Sequence, residues 1–336
     1  MAELPEEGVD LNRVAVLYRS HFHALELQLE LTKRHIPFSI TSGIRFFEQA
    51  HIKDATAYLK LVANPQDELA FKRIALLLPG IGARGAEKIW KIFSAKMDDG
   101  RLKMENQPSK TDKSQLPSAN SHLLLRIAPA LQKCSSSVPA KAASAWKQFI
   151  ETISQLEDET VRQSAAKMLR LVMDAGYDDY LKENFANYRN RLEDLEQLAV
   201  FAYQFGSVED FLTQLALLTN VEAEDGDPAN RDAEQIRLST IHQAKGLEFD
   251  VVFVIMLCDG LFPSARSMEN DEGEEEERRL FYVAITRARN ELYLSYPLER
   301  ASFSNSGGDS MQRPSRFLSE IPGDLLNEWN LRSRYA

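Results

Sequence analysis

RLSTIHQAKGLEFDVVFVIMLCDGLFP, residues 237–263, and EEEERRLFYVAITRARNELYLSY, residues 274–296, decide the fold. Two apolar, β-branched runs, 237–241 and 250–256, flank a polar turn that carries a glycine, 242–249. Helical spacing follows over 274–289, and then a third short strand over 291–296. Strand, polar turn, strand, helix and strand is the order of an α/β sheet whose strand-end loops handle ligands.

Upstream, VAVLY (14–18) is a continuous apolar run, the mark of a strand buried on both faces of a parallel sheet. Residues 23–35 place Leu25 and Leu29 at helical spacing, Pro37 ends that helix, and 38–41 reads as a second strand, completing a βαβ unit. From His51 to about Asn220 the period is almost wholly helical: IKDATAYLKLV, 69–78, PGIGARGAEKIWKIF, 122–132, 139–157, 159–175, 183–205 and 207–219. Residues 97–121 are polar and rich in breakers, which predicts a flexible loop, and 221–235 (VEAEDGDPANRDAEQ) reads as a linker. The α/β pattern is therefore interrupted by a helical block, as when one domain is inserted into a loop of another. The expected division is 9–45 with 235–300 for the sheet domain and 46–234 for the insertion. Residues 301–336 read as a peripheral tail.

The chain has 336 residues, 44% of them hydrophobic, enough for two cores. No apolar run reaches membrane-spanning length and the start lacks a secretory pattern. Cys134 and Cys258 stand far apart without nearby histidines, so neither a disulfide nor zinc is expected, and a cytoplasmic location fits. The net charge of −10 argues against a nucleic-acid partner. Much of that charge is local, however, at 222–227 and 269–277, which leaves room for a basic face elsewhere.

The turn 242–249 brings a histidine, a lysine and a carboxylate together as His242, Lys245 and Glu248, with Gly246 open to backbone geometry other residues avoid. An ordinary polar turn accounts for any one of them; the set, followed by VVFV, points to function. Along 274–289, Leu280, Val283, Ala284 and Arg287 stand at i, i+3, i+4 and i+7, so Arg287 continues the stripe expected to face the core. A cation there needs an anion, either a structural carboxylate or a ligand phosphate, which the guanidinium fork grips well. Arg278, Arg279 and Arg289 fall on other faces and suit salt bridges or loose phosphate contacts. PGIGARGAEKI (79–89) resembles a helix-hairpin-helix turn, in which Gly80 and Gly82 let amides approach a phosphate while Arg84 and Lys88 add charge. A glycine-rich connection between two helices is the plain alternative. His21, His23, His35, His51 and His122 are scattered and read as surface or capped side chains. The Trp and Phe residues of the helical block read as core, and the acidic run 269–277 as a solvated lead into a helix N-terminus.

LSTIHQAKGLEFDVVFV resembles motif V, and EEERRLFYVAITRARNELYL motif VI, of UvrD/PcrA/Rep-type superfamily 1 DNA helicases. DGLFP between them also matches, while AVLYRS, SGIRFFEQAHIKDATAYLKLVANPQDELAFKRI and PGIG are similar to the start of the family's domain 2A and its entry into the inserted domain 2B. The resemblance spans about residues 9–298. It implies an α/β fold in which a RecA-like parallel-sheet domain, 2A, is split by a large all-α domain, 2B.

By that resemblance Arg287 would reach across a domain cleft to the γ-phosphate of ATP and stabilise the transferring group, as an arginine finger does. Glu248 would lie near the ribose, Gly246 would shape that loop, and Arg279 would support the nucleotide side. Thr240 and His242 would contact single-stranded DNA, and the Gly80–Gly82 turn with Arg84 and Lys88 would touch duplex backbone. The implied cofactors are ATP and Mg²⁺; the implied partners are single-stranded and duplex DNA and a pair of N-terminal motor domains. The 336 residues contain no G-x-x-x-x-G-K-[ST] phosphate loop and no DExx motif for Mg²⁺, and Ser42-Gly43 stands where a Gly-Gly pair is usual. The expectation is thus the C-terminal motor half of an ATP-dependent 3′–5′ DNA helicase, unable to hydrolyse ATP alone. The competing expectation is a standalone DNA- or protein-binding module without a motor.

Overall fold

A computed structural model describes residues 10–41, 46–105, 126–224, 234–265, 267–269, 271–300 and 310–329. Its principal elements run β1 (Val14–Tyr18), α1 (Leu25–Lys33), β2 (Phe38–Thr41), then ten helices: α2 (Ala50–Ala63), α3 (Glu68–Leu77), α4 (Ala83–Glu105), α5 (Ile127–Lys133), α6 (Ala143–Leu156), α7 (Glu159–Arg162), α8 (Ala165–Val172), α9 (Asp178–Asn184), α10 (Tyr188–Ala202) and α11 (Val208–Glu224). The strands resume with β3 (Ile236–Thr240) and β4 (Phe249–Val254), followed by α12 (Asp271–Ile285) and β5 (Ala288–Leu294). The chain divides into two compact units, Met1–Phe46 with Leu218–Ala336, and Phe47–Leu217.

In the first unit, five parallel strands form one sheet in the order β2-β3-β1-β4-β5. The central strand β1 is buried along its whole length, as an apolar run in a parallel sheet requires. Its residues alternate between faces with the pleat. Ala15 and Leu17 join a cluster with Ile241, Val252, Leu280, Phe281 and Ala284, so α12 covers that face. Val14, Val16 and Tyr18 join Ala24, Leu31, Ile236 and Leu238, so α1 and the turn before it cover the other.

Residues 313–318 are not peripheral. Phe317 is 0% exposed and belongs to the α12-side cluster, stacked on Phe281 with ring centres 5.6 Å apart. The Ser315 amide donates to the Leu257 carbonyl (2.7 Å), and the Asp259 amide to the Arg313 carbonyl (3.1 Å). Phe317 is preceded by Pro, Ser and Arg and gives no periodic signal, so nothing in the sequence marks it as core.

The second unit is entirely helical among the described residues. Its aromatic residues are core, as expected: Phe71, Trp90, Phe93, Trp146 and Phe149 are buried and pack ring against ring. Helix α4 continues through Glu105, so residues 97–105 are helix and not the start of a flexible loop. Met97 extends the buried Ile89–Phe93 row by one more turn, and the segment beyond contains Arg, Leu, Lys, Met and Glu, all good helix formers. The remainder of the expected loop, Ser42-Gly43 and His122 lie outside the described residues.

Two of the histidines read as surface or capped are buried. His23 packs edge-on against Phe22. His51 has Asp194 Oδ2 3.1 Å from Nε2 and Arg191 Nη1 3.3 Å from Nδ1. No described helix is long and apolar enough to cross a membrane.

Candidate functional site

The polar loop after β3 crosses the sheet from one edge to the other. Because β3 and β4 are parallel and lie on opposite sides of β1, the chain must leave β3 at its carboxyl end and enter β4 at its amino end. Thr240 is in register with Tyr18 and Val251 with Val14, four rows apart, or about 13 Å at 3.3 Å per residue. His242 and Glu248 therefore do not gather at one place, as a simple polar turn would have them; the parallel topology sends them to opposite edges. Inside the loop, the Gln243 and Ala244 amides donate to Thr240 O, and Ala244 is buried in the core. Gly246 has φ +89° with open space around a built Cβ, so its requirement is conformational and not steric.

At the amino edge the loop meets the turn between α12 and β5. Helix α12 ends at Ile285, so Arg287 does not continue its core-facing stripe. It is half-buried in the turn, and its own carbonyl accepts from the Phe249 amide (2.9 Å), locking the two segments together. Its Nε donates to Val283 O (3.0 Å), its Nη1 to Leu247 O (2.8 Å) and its Nη2 to Thr286 Oγ1 (3.0 Å). The guanidinium thus caps the negative end of α12 and pins the polar loop. Among the described residues, these partners are two carbonyls and a hydroxyl, with no carboxylate. Next to it, Glu248 accepts from Arg289 (Nη2–Oε2 2.9 Å), both more than half exposed, a pair that contributes at most about 1 kcal/mol. Arg279 stands apart from this group, 76% exposed and paired with Glu276.

At the carboxyl edge, Thr240 is buried at the end of β3 and His242 is exposed just beyond it. Partial desolvation, and then the charge of Arg19, push the His242 imidazole below its ordinary range; Glu277 and Glu276 act weakly the other way. Arg19 follows the central strand, and its Nε donates to Glu277 Oε1 (2.8 Å), which also accepts from Ser267 Oγ (2.9 Å). Glu277 is 1% exposed, so the acidic run is not wholly solvated. Neither Arg19 nor Glu277 was singled out from sequence. A signal existed for the latter: Glu277 precedes Leu280, Phe281 and Ala284 by three, four and seven residues, on the buried stripe.

In the helical unit, Gly80 and Gly82 stand exposed in the turn before α4, with Arg84 and Lys88 exposed on its first turns. Gly80 has φ +82°, and a Cβ there would lie 3.3 Å from Lys141 Cβ, so that exposed lysine adjoins the turn. Among the described residues no three His, Cys, Asp or Glu side chains converge to hold a metal ion.

A family model for the UvrD-like helicase C-terminal domain matches residues 1–299. The chain is 34% identical to DNA helicase II of Escherichia coli (strain K12) over 334 residues, covering 98% of the chain and 43% of that protein. It is 34% identical to the ATP-dependent DNA helicase PcrA of Bacillus subtilis (strain 168) over 335 residues, covering 95% of the chain and 41% of the relative. The chain thus spans less than half the length of the curated relatives it matches. With the match across most of its length and the parallel sheet that carries the two late motifs, this chain belongs to the UvrD-like helicase C-terminal domain family.

Proposed function

We propose that the chain is the C-terminal motor half of an ATP-dependent 3′–5′ DNA helicase, with the parallel-sheet unit as a RecA-like domain 2A and the helical unit as the inserted domain 2B. The observation that carries this reading is Arg287, a half-buried guanidinium with carbonyl and hydroxyl partners and no described carboxylate. Such a group has its direction fixed but its charge unmatched, which suits it to an incoming phosphate. The residues present fit one wall of a nucleotide site. ATP, when bound, supplies the phosphoryl group that is transferred. Arg287 offers positive charge where negative charge develops on that group, and Glu248, released from Arg289, accepts a hydrogen bond from a ribose hydroxyl. In this reading Mg²⁺ accompanies the ATP phosphates and is held by the phosphate-loop half of the enzyme. Thr240 and His242, at the opposite edge of the sheet, face single-stranded DNA in this reading. Gly80, Gly82, Arg84 and Lys88 take duplex backbone.

The test is DNA-stimulated ATP hydrolysis by a polypeptide that joins this chain to a phosphate-loop half, measured beside the 336-residue chain alone. Turnover is expected only from the former; hydrolysis by the chain alone, abolished by Arg287→Ala, would overturn the division of labour. A second reading, a DNA-binding module without a motor, is favoured by one feature: the exposed glycine turn flanked by Arg84, Lys88 and Lys141. Duplex binding by the chain that weakens steeply with salt, without any stimulation of hydrolysis in the joined polypeptide, would select it.

A further inference from the structure

We propose that Glu277 is a positioning residue, which holds Arg19 ready for a phosphate of single-stranded nucleic acid and ties that grip to the helix whose last turn Arg287 caps. The inference rests on reading the carboxyl edge of the sheet as the nucleic-acid side.

Glu277 lies in α12 and is 1% exposed, yet it is ionisable and directed at Arg19, which retains partial exposure. Its Oε1 accepts from Arg19 Nε and Ser267 Oγ, and Ser267 is in turn 2.7 Å from Ser264 Oγ. Its Oε2 is buried with no hydrogen-bond partner among the described residues. A buried carboxylate half satisfied in this way is a poor stabilising device, since a buried ion pair gains little over packed apolar side chains and an unmet oxygen carries a desolvation cost. What the arrangement does achieve is direction. Only the Nε of Arg19 is engaged among the described residues, which leaves the Nη groups of a planar fork for an anion. Arg19 follows the strand between β3 and β4, and it adjoins His242: the Tyr18 carbonyl just before it accepts from the Ile241 amide (3.0 Å). A phosphate that reaches His242 therefore meets a guanidinium already oriented.

The connection to the other edge is covalent. Glu277 and Ile285 stand eight residues apart on one rigid helix, about 12 Å along its axis, and the last turn of that helix gives its Val283 carbonyl to Arg287. A shift of α12 that accompanies phosphate capture by Arg287 would move the carboxylate that holds Arg19.

The experiment is binding of a fluorescent oligo(dT) strand to the 336-residue chain, titrated with salt, for wild type, Glu277→Gln, Arg19→Ala, the double variant and Arg19→Lys, each checked for an unchanged thermal transition. Glu277→Gln and Arg19→Ala are each expected to weaken binding about tenfold. Each should also lower the salt slope by about 0.7, one phosphate contact on a single strand, with the double variant no worse than either alone. Should Glu277→Gln fail to fold, Arg19→Lys decides: a lysine held by Glu277 lacks the planar fork that directs separate donors at a phosphate, so it is expected to bind nearly as weakly as Arg19→Ala. Wild-type binding by Arg19→Lys would overturn the proposal, as would an unchanged slope in Glu277→Gln beside a reduced one in Arg19→Ala. If His242→Ala weakens binding while Arg19 and Glu277 variants do not, the positioning role falls and the nucleic-acid reading stands. Absence of oligo(dT) binding by the wild-type chain at low salt would overturn both.

Discussion

The two edges of the parallel sheet are built on opposite principles. At the amino edge, Arg287 is partnered by backbone carbonyls and a hydroxyl, so its position is fixed while its charge stays available. At the carboxyl edge, Arg19 is partnered by a buried carboxylate, so its charge is partly matched and its remaining donors are directed. Carbonyls are dipoles and leave a cation free to meet a highly charged group; a carboxylate moderates the cation and suits a contact that must form and release. In the proposed reading, the difference suits an edge for chemistry and an edge for grip. The polar loop and α12 both run between them, so the two edges are joined by continuous chain.

The largest expected effect would break the comparison at the amino edge. In a complete enzyme that carries this chain, Arg287→Ala should lower ATP turnover about 10³-fold or more, the usual scale for an arginine finger. Oligo(dT) affinity should stay within twofold. Steady-state hydrolysis and anisotropy on the same preparation check both halves; an equal loss in both would dissolve the separation of the edges.

Next in size is Phe317→Ala. That ring is fully buried against Phe281 and Phe262, so its removal should cost about 3–5 kcal/mol of stability in denaturant unfolding. Because it supports α12, both edges should weaken together. Loss at one edge only would show that α12 does not act as a unit.

A smaller effect is expected at Glu248. With both partners of the Glu248–Arg289 pair exposed, Glu248→Ala should change unfolding free energy by less than about 1 kcal/mol. ATP affinity of the complete enzyme should fall about fivefold through the lost ribose contact. Unchanged affinity would remove Glu248 from the site.

The smallest effect sharpens the carboxyl edge. His242 should titrate below 6.5 in the folded chain, since desolvation and Arg19 disfavour its charged form. The unfolded chain then takes up the proton first as pH falls. Any stability linked to the neutral imidazole is therefore complete above the unfolded pKa and is lost as pH drops through that range toward the folded pKa. Arg19→Ala should raise the midpoint and Glu277→Gln should lower it further, both by NMR titration. A shift of the opposite sign in either would show that these charges do not face His242.

Much of the fold was legible because parallel strands buried on both faces must be apolar throughout. VAVLY and DVVFV could be little else, and the Trp and Phe residues of the helical block read most simply as core. Two of the readings that failed show the physical reason most directly. Arg287 matched helical periodicity, but Thr286 and Arg287 turn out of the helix to start β5, and periodicity cannot register a chain reversal. Glu277 sat among six neighbouring acids, where composition suggests a solvated face, and only the partner 258 residues away reveals it as buried.

By itself, the sequence determined which segments would be strands and helices, that an α/β pattern is interrupted by a helical one, and which family the two late motifs resemble. These follow from local periodicity and short-range chemistry, which a chain carries wherever it goes. Only the tertiary structure decided that His242 and Glu248 stand at opposite edges, that Arg287 is held by carbonyls, that Phe317 is core and that Arg19 answers to Glu277. The contacts distant in sequence depend on strand order, since placing β1 between β3 and β4 sets which residues meet, and no local pattern encodes that order.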